Sequence, residues 1–174
     1  METLTKTQWK IDGAHSEIGF KVKHMMISTV RGHFDDFTAS VESNGDDFSD
    51  AQISFTAKTA SIHTNNNDRD NHLRSDDFFN AEKYPELTFK SKSFDGSTLI
   101  GDLNIRDVTR EIKLDVDFNG VAVDPYGQTK AGFELEGKIN RKDFNLTWSA
   151  VTEAGSVVVA DEVKLAVSVQ FIKA

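Results

Sequence analysis

The chain has 174 residues, 38% hydrophobic and 28% charged, with a formal net charge of −8, five histidines and no cysteine. That length suits one domain with a substantial core. The acid excess, with no Lys/Arg run longer than Arg141-Lys142, argues against nucleic-acid binding and against electrostatic docking on an anionic membrane, and the missing cysteines exclude disulfides, thiolate nucleophiles and Cys-based zinc sites.

The opening residues, METLTKTQWKIDGAHS, lack the apolar core of a signal peptide, and no stretch approaches the ~20 apolar residues of a spanning helix. The expectation is a soluble, cytoplasmic protein with no stable membrane insertion. Residues 1–8 are expected to be a tail, and the rest of the chain one domain. DGAHS, 12–16, reads as a turn in which Asp12 and Ser16 hydrogen-bond the backbone, because adjacent residues of an extended chain cannot align a Ser-His-Asp relay.

From there the dominant period is two. Ile18, Phe20, Val22 and His24 share one face, followed by Val30, Gly32 and Phe34. The phase shifts near Asp35-Asp36, which predicts a bulge, and resumes at Phe37, Ala39 and Val41. Further runs are Ile53-Phe55-Ala57, Leu87-Phe89 and Leu99-Gly101-Leu103-Ile105. Ile112-Leu114-Val116-Phe118, Phe133-Leu135-Gly137-Ile139 and the alternation from Val163 to Phe171 complete the set. Turn sequences SNGDD, FDGS and DPYG separate several of them. About eight strands, each with one apolar and one polar face, predict an all-β antiparallel sheet closed into a single eight-stranded barrel. A β-sandwich fits less well with the even, meander-like spacing.

Two segments break the period: Asn65 onward to Pro85, and 148–161. NNNDRDNHLRSDDFF, 65–79, reads as a short helix capped by Asn67 or Asp68, with acids in the first turn and pairs Asp70–Arg74 and His72–Asp76 at i, i+4. So short a helix depends on docking Leu73, Phe78 and Phe79, as a cap over one end of the barrel. The competing reading is a metal-dependent or acid-base enzyme using His15, His24, His72 and nearby acids. It lacks paired zinc-binding histidines at i, i+4, a G-x-S-x-G elbow, a phosphate loop and calcium-loop spacing, so no catalytic residue, metal or cofactor is assigned.

Thirteen phenylalanines against two tyrosines and two tryptophans need a dry home. An eight-stranded barrel is either filled by side chains or holds one small ligand. Inward Gly32, Gly101 and Gly137 are expected to widen the interior and favour a cavity. The candidate lining is Phe20, Val22, Phe34, Phe55 and Phe89, with Leu103, Leu114, Phe133, Leu135 and Phe171 further along. Leu73, Phe78 and Phe79 would touch a ligand's tail from the helix, and His24, His72 and Arg74 its head group, with Arg69 and Lys23 as further cations.

WKIDGAHSEIGFKVKHMMISTVRGHFDDF, NDRDNHLRSDDFFNAEKYPELTF, GDLNIRDVTREIKLDV and NRKDFNLTW together resemble the YceI-like, polyisoprenoid-binding family, from about Trp9 to the end. The resemblance implies a lipocalin-like barrel over 9–174, with one or two short helices capping an end. It implies an apolar tunnel that binds, stores or transports a polyisoprenoid, an isoprenoid quinone or a fatty-acid derivative, and a possible homodimer. Many relatives are periplasmic. Asn145 stands where the family usually has glycine, which predicts a left-handed residue that Asn also tolerates.

Overall fold

The computed structural model describes residues 6–149 and 158–174. Its strand segments are β1 (Thr7–Ile11), β2 (Glu17–His24), β3 (Ser28–Phe34), β4 (Phe37–Asn44), β5 (Asp47–Lys58) and β6 (Ile62–His63), then β7 (Glu86–Phe94), β8 (Thr98–Ile105), β9 (Val108–Val123), β10 (Thr129–Asn140) and β11 (Val159–Lys173). All pairings are antiparallel, and β11 returns to pair with both β1 and β2. The eleven segments reduce to eight staves, because three pairs are single runs interrupted in the middle. A 3-10 turn at Gly13–His15 separates β1 from β2, another at Thr59–Ser61 separates β5 from β6, and Asp35-Asp36 separate β3 from β4. Each stave pairs with its neighbours in sequence, so the sheet is a closed up-and-down meander.

The alternation of the sequence decides which residues enter the barrel. Phe20 lies opposite Gly32 and Leu165, and Phe133 opposite Val169, all with apolar side chains or glycine on the inner face. The expected bulge at Asp35-Asp36 is a full break, held by the Asp35 N–H donating to the Ser61 carbonyl and the Lys58 N–H to the Asp36 carbonyl. A true bulge lies between Gly132 and Phe133, where the register with β9 slips by one residue. The unpaired residue is Asn119 of β9; Phe118 beside it keeps the face of its partner Phe133, as expected, but is 43% exposed. β1 starts at Thr7, within the stretch expected to be a tail, and registers against Ser43.

The two ends of the barrel differ. At one end Trp9, Phe48, Phe118 and Phe133 pack with ring centroids 5.0–5.2 Å apart, and Phe171 joins 6.1 Å from Phe133. Trp9 is fully buried, and its indole N–H donates to Ser43 Oγ at 2.8 Å, so this floor carries no unpaired polar group. Beside it, Lys130 Nζ bridges Asp12 at 2.9 Å and Asp124 at 3.4 Å, fastening the β9–β10 hairpin to the β1–β2 turn. The Asp12 carboxyl is held below the ordinary aspartate value chiefly by the hydrogen bond from Lys130, and Lys130 is raised chiefly by the same bond.

The opposite end carries the one α-helix of the described residues, α1 (Asn67–Arg74). Its N-cap is Asn66, one residue before the predicted caps, with Oδ1 accepting from the Arg69 N–H at 3.0 Å. The predicted side-chain pairs are replaced by others. Asp70 turns inward, 2% exposed, and accepts from the Thr64 N–H at 2.9 Å and from the Thr64 hydroxyl. His72 Nε2 meets Asp77 rather than Asp76, at 2.8 Å, while Asp76 pairs with Arg106 at 3.0 Å. A buried carboxylate gains more from fixed donors than from a mobile surface arginine, which explains the switch at Asp70.

Candidate functional site

Between the aromatic floor and α1 lies a cavity of about 390 Å³, within the range of small-molecule sites. Its wall is almost entirely aliphatic and aromatic. All of the sequence-derived strand candidates line it: Phe20, Val22, His24, Phe34, Phe55 and Phe89, together with Leu103, Leu114, Phe133, Leu135 and Phe171. From the helix side His72, Leu73, Phe78 and Phe79 also reach it.

Arg74 does not. Its guanidinium donates to the carbonyls of Ala60 at 2.8 Å and Ile62 at 3.3 Å, and to Asn71 Oδ1 at 2.9 Å, tying the helix to the 3-10 turn and β6. The neighbouring Arg69 is on the wall, but its Nε donates to Thr64 Oγ1 at 2.7 Å and its Nη2 to the Thr64 carbonyl.

The glycines act differently from expectation. A Cβ on Gly32 would stand 2.4 Å from Phe20 Cζ, one on Gly101 2.5 Å from Phe89 Cζ, and one on Gly137 2.5 Å from a Leu114 methyl. Each glycine is therefore a seat for a large neighbour lying flat on the sheet. They shape the wall by laying these side chains aside rather than by leaving voids.

The polar members of the wall gather at the α1 end. They are Lys23, His24, Thr64, Arg69, His72 and Arg141, with no carboxylate among them. Lys23 is exposed and His24 half-buried, whereas Phe48, Phe94 and Phe171 at the far end are buried, so the mouth is at the α1 end. His72 packs edge-on against Trp148, ring centroids 4.7 Å apart, and Phe78 lies 5.5 Å from the same indole.

Two wall residues, Arg141 and Trp148, carry no periodic signal and were not singled out from the sequence. The link between β10 and β11 supplies both. Arg141, in a 3-10 turn at Arg141–Phe144, is buried and donates to the carbonyls of Leu146 at 2.6 Å, Trp148 at 2.7 Å, Ala160 at 2.9 Å and Val159 at 3.3 Å. Burial pushes its guanidinium below the ordinary arginine value, and Asp161 at 3.7 Å opposes that shift. Asn145 closes the turn at φ +61°, the left-handed residue expected there. The aperiodic segment at 148–161 is described only at its ends, and 150–157 lie outside the described residues.

The three histidines of the enzyme reading are not brought together. His15 sits in the floor-side turn, its Nδ1 2.8 Å from Asp12, while His24 ends β2 at the mouth. Nine residues of extended chain between them span roughly 30 Å. His33 and His63 are register partners across β3 and β6, their rings tilted by 55° with centroids 5.2 Å apart, outside the cavity wall. Among the described residues no three His, Asp or Glu side chains are grouped to hold a metal ion.

Comparison with known proteins agrees with this architecture. The model of the family described as YceI-like domain matches residues 9–171. A UPF0312 protein of Staphylococcus aureus (strain MSSA476) is 40% identical over 166 residues, covering 95% of this chain and 97% of the relative. The crystal structure of the Campylobacter jejuni YCEI protein superposes with a TM-score of 0.74 at 37% identity, covering 100% of this chain and 99% of that one. A polyisoprenoid binding domain from Saccharophagus degradans, implicated in plant cell wall breakdown, shares the fold with a TM-score of 0.71 at 13% identity, over 95% of this chain and 98% of the domain.

Proposed function

The chain belongs to the YceI-like domain family, and on that premise we propose that it is a non-catalytic binding protein for one long-chain amphiphile. The observation that carries this reading is the cavity itself: about 390 Å³, apolar along its length, floored by aromatic rings and polar only at the mouth. The ligand is a polyisoprenoid, an isoprenoid quinone or a fatty-acid derivative, held for sequestration or transport. The likeness of fold to the polyisoprenoid binding domain of Saccharophagus degradans supports the first of these.

Energetics favour the same class. Each buried CH₂ contributes about 0.8 kcal/mol, so a five-carbon prenyl unit contributes a few kcal/mol gross. Several such units offset the ordering and association cost without a charged clamp. The tail lies toward Phe48, Phe133 and Phe171, and the head group toward Lys23, His24 and His72. Arg69 already donates to the Thr64 hydroxyl and carbonyl, and Arg141 to four backbone carbonyls, so both serve as fixed positive charge rather than as clamps.

Trp148 supplies the test. A long-chain isoprenoid quinone titrated into the protein should quench its emission saturably, and the response should vanish in Trp148→Phe. A response without saturation, or one unchanged in Trp148→Phe, would overturn the reading.

A further inference from the structure

The residues around the β2–β3 hairpin contradict the average charge of the chain. Positions 21–31 contain three Lys/Arg, one His and no acid, in a protein of net charge −8. The fold extends this run sideways. Lys138, Lys164, Lys21 and Arg31 are successive register partners across β10, β11, β2 and β3, four cations abreast on the outer face. Like charges directly opposite one another destabilise a sheet, so folding alone gives no reason for the row. Among the described residues, only Lys138 of the four has an acid partner, Glu162 at 3.5 Å. The sequence could not show this, because the four residues lie on four different strands.

The tip of the same hairpin is apolar. Met26 is 66% and Ile27 80% exposed. The three-residue loop is Met25–Ile27, and its first two residues, Met25 and Met26, both sit at positive φ (51° and 59°), a conformation that usually falls to Gly or Asn. On its other edge β3 pairs with β6 only at His33 and Phe34, so Ser28 to Gly32 stand beyond the paired rim of the described residues. The tip adjoins the mouth: the Met25 N–H donates to the Val158 carbonyl at 2.8 Å, and Lys23, His24 and Val158 are on the cavity wall.

We propose that this hairpin docks the protein on a lipid bilayer bearing anionic head groups, with Met26 and Ile27 in the interface and Lys21, Lys23, Arg31 and Lys164 facing the phosphates. Exposed apolar side chains flanked by cations are the composition that interfacial anchors use. The local basic field overrides the global acidity because ionic screening confines each charge to about 8–10 Å. Docked this way, the mouth faces the bilayer, which would be the source or sink of the ligand; this last step rests on the binding function proposed above.

Sedimentation of the full chain with vesicles tests it. The protein should bind phosphatidylcholine vesicles containing phosphatidylglycerol, and release with rising salt. Lys21→Gln and Arg31→Gln should each weaken partition about fivefold. Equal binding to pure phosphatidylcholine, no binding, or binding untouched by Lys21→Glu with Arg31→Glu would overturn the proposal. As a second reporter, the emission of Ile27→Trp should shift to the blue on anionic vesicles, while Tyr126→Trp at the floor end should not; the reverse pattern refutes the orientation. Organic extraction separates the two ideas: a chain that carries lipid yet ignores anionic vesicles loses the dock and keeps the cavity function.

Discussion

Single residues set the shape of the cavity through steric accommodation. At Gly101 an added Cβ would stand 2.5 Å from the Lys90 carbonyl oxygen as well as from the Phe89 ring, whereas at Gly32 it meets the ends of the Phe20 and Thr64 side chains. Backbone yields less readily than a ring edge. Gly101→Ala is therefore expected to cost about 1–3 kcal/mol in denaturant unfolding, and Gly32→Ala less. Gly32→Ala should instead push the Phe20 ring inward and weaken ligand uptake. At Asn145, held at φ +61°, glycine should be tolerated within a few tenths of a kcal/mol, while valine should cost about 1–2 kcal/mol. The strand lining was legible at this scale because parity alone assigns Phe20, Phe34 or Leu135 to a face. Parity also places Phe118 on the face of its partner Phe133, but it does not convey that Phe118 sits near the barrel's end at 43% exposure, next to the unpaired Asn119 that interrupts the alternation.

At the scale of elements, polar staples hold each irregular piece to the sheet. Arg141 fastens both described ends of the β10–β11 link through four carbonyls. Arg141→Met would strip those acceptors of a charged donor, and a loss of the order of 3 kcal/mol is expected by chemical denaturation. At the floor, Lys130 fastens two turns through Asp12 and Asp124. Both aspartates are lowered from the ordinary value, Asp12 mainly by Lys130 and Asp124 mainly by the Gln128 N–H, so their contribution is full above about pH 4 and is lost as pH falls through the lowered values. Lys130 is raised, so its contribution is full below about pH 10 and is lost as pH climbs through the raised value. Thermal melts of Lys130→Met across pH should show a shallower decline on both flanks than the parent chain. Helix α1 was legible in place and in its docking residues, but its partners were not. Sequence spacing proposed Asp70–Arg74, and only the fold brings Thr64 to Asp70. The Met25-Met26 turn was also hidden, since neither residue is a turn former.

For the whole molecule, eight alternating runs with short turns leave few alternatives to a closed meander, which is why the barrel could be read from period two alone. What no period could convey is polarity along the barrel axis. An aromatic floor, a mouth ringed by Lys23, His24 and His72, and a basic face built from four strands arise only when distant segments are registered against each other. The same asymmetry suits a tail-down, head-up amphiphile, which needs one dry end and one wet end. Organic extraction of the purified protein, followed by mass spectrometry and by challenge with added prenyl lipids, is the decisive test of such binding. One long-chain lipid per chain is expected, recovered or taken up to saturation. Repeated absence of any stoichiometric lipid, with no uptake of those added, would contradict it.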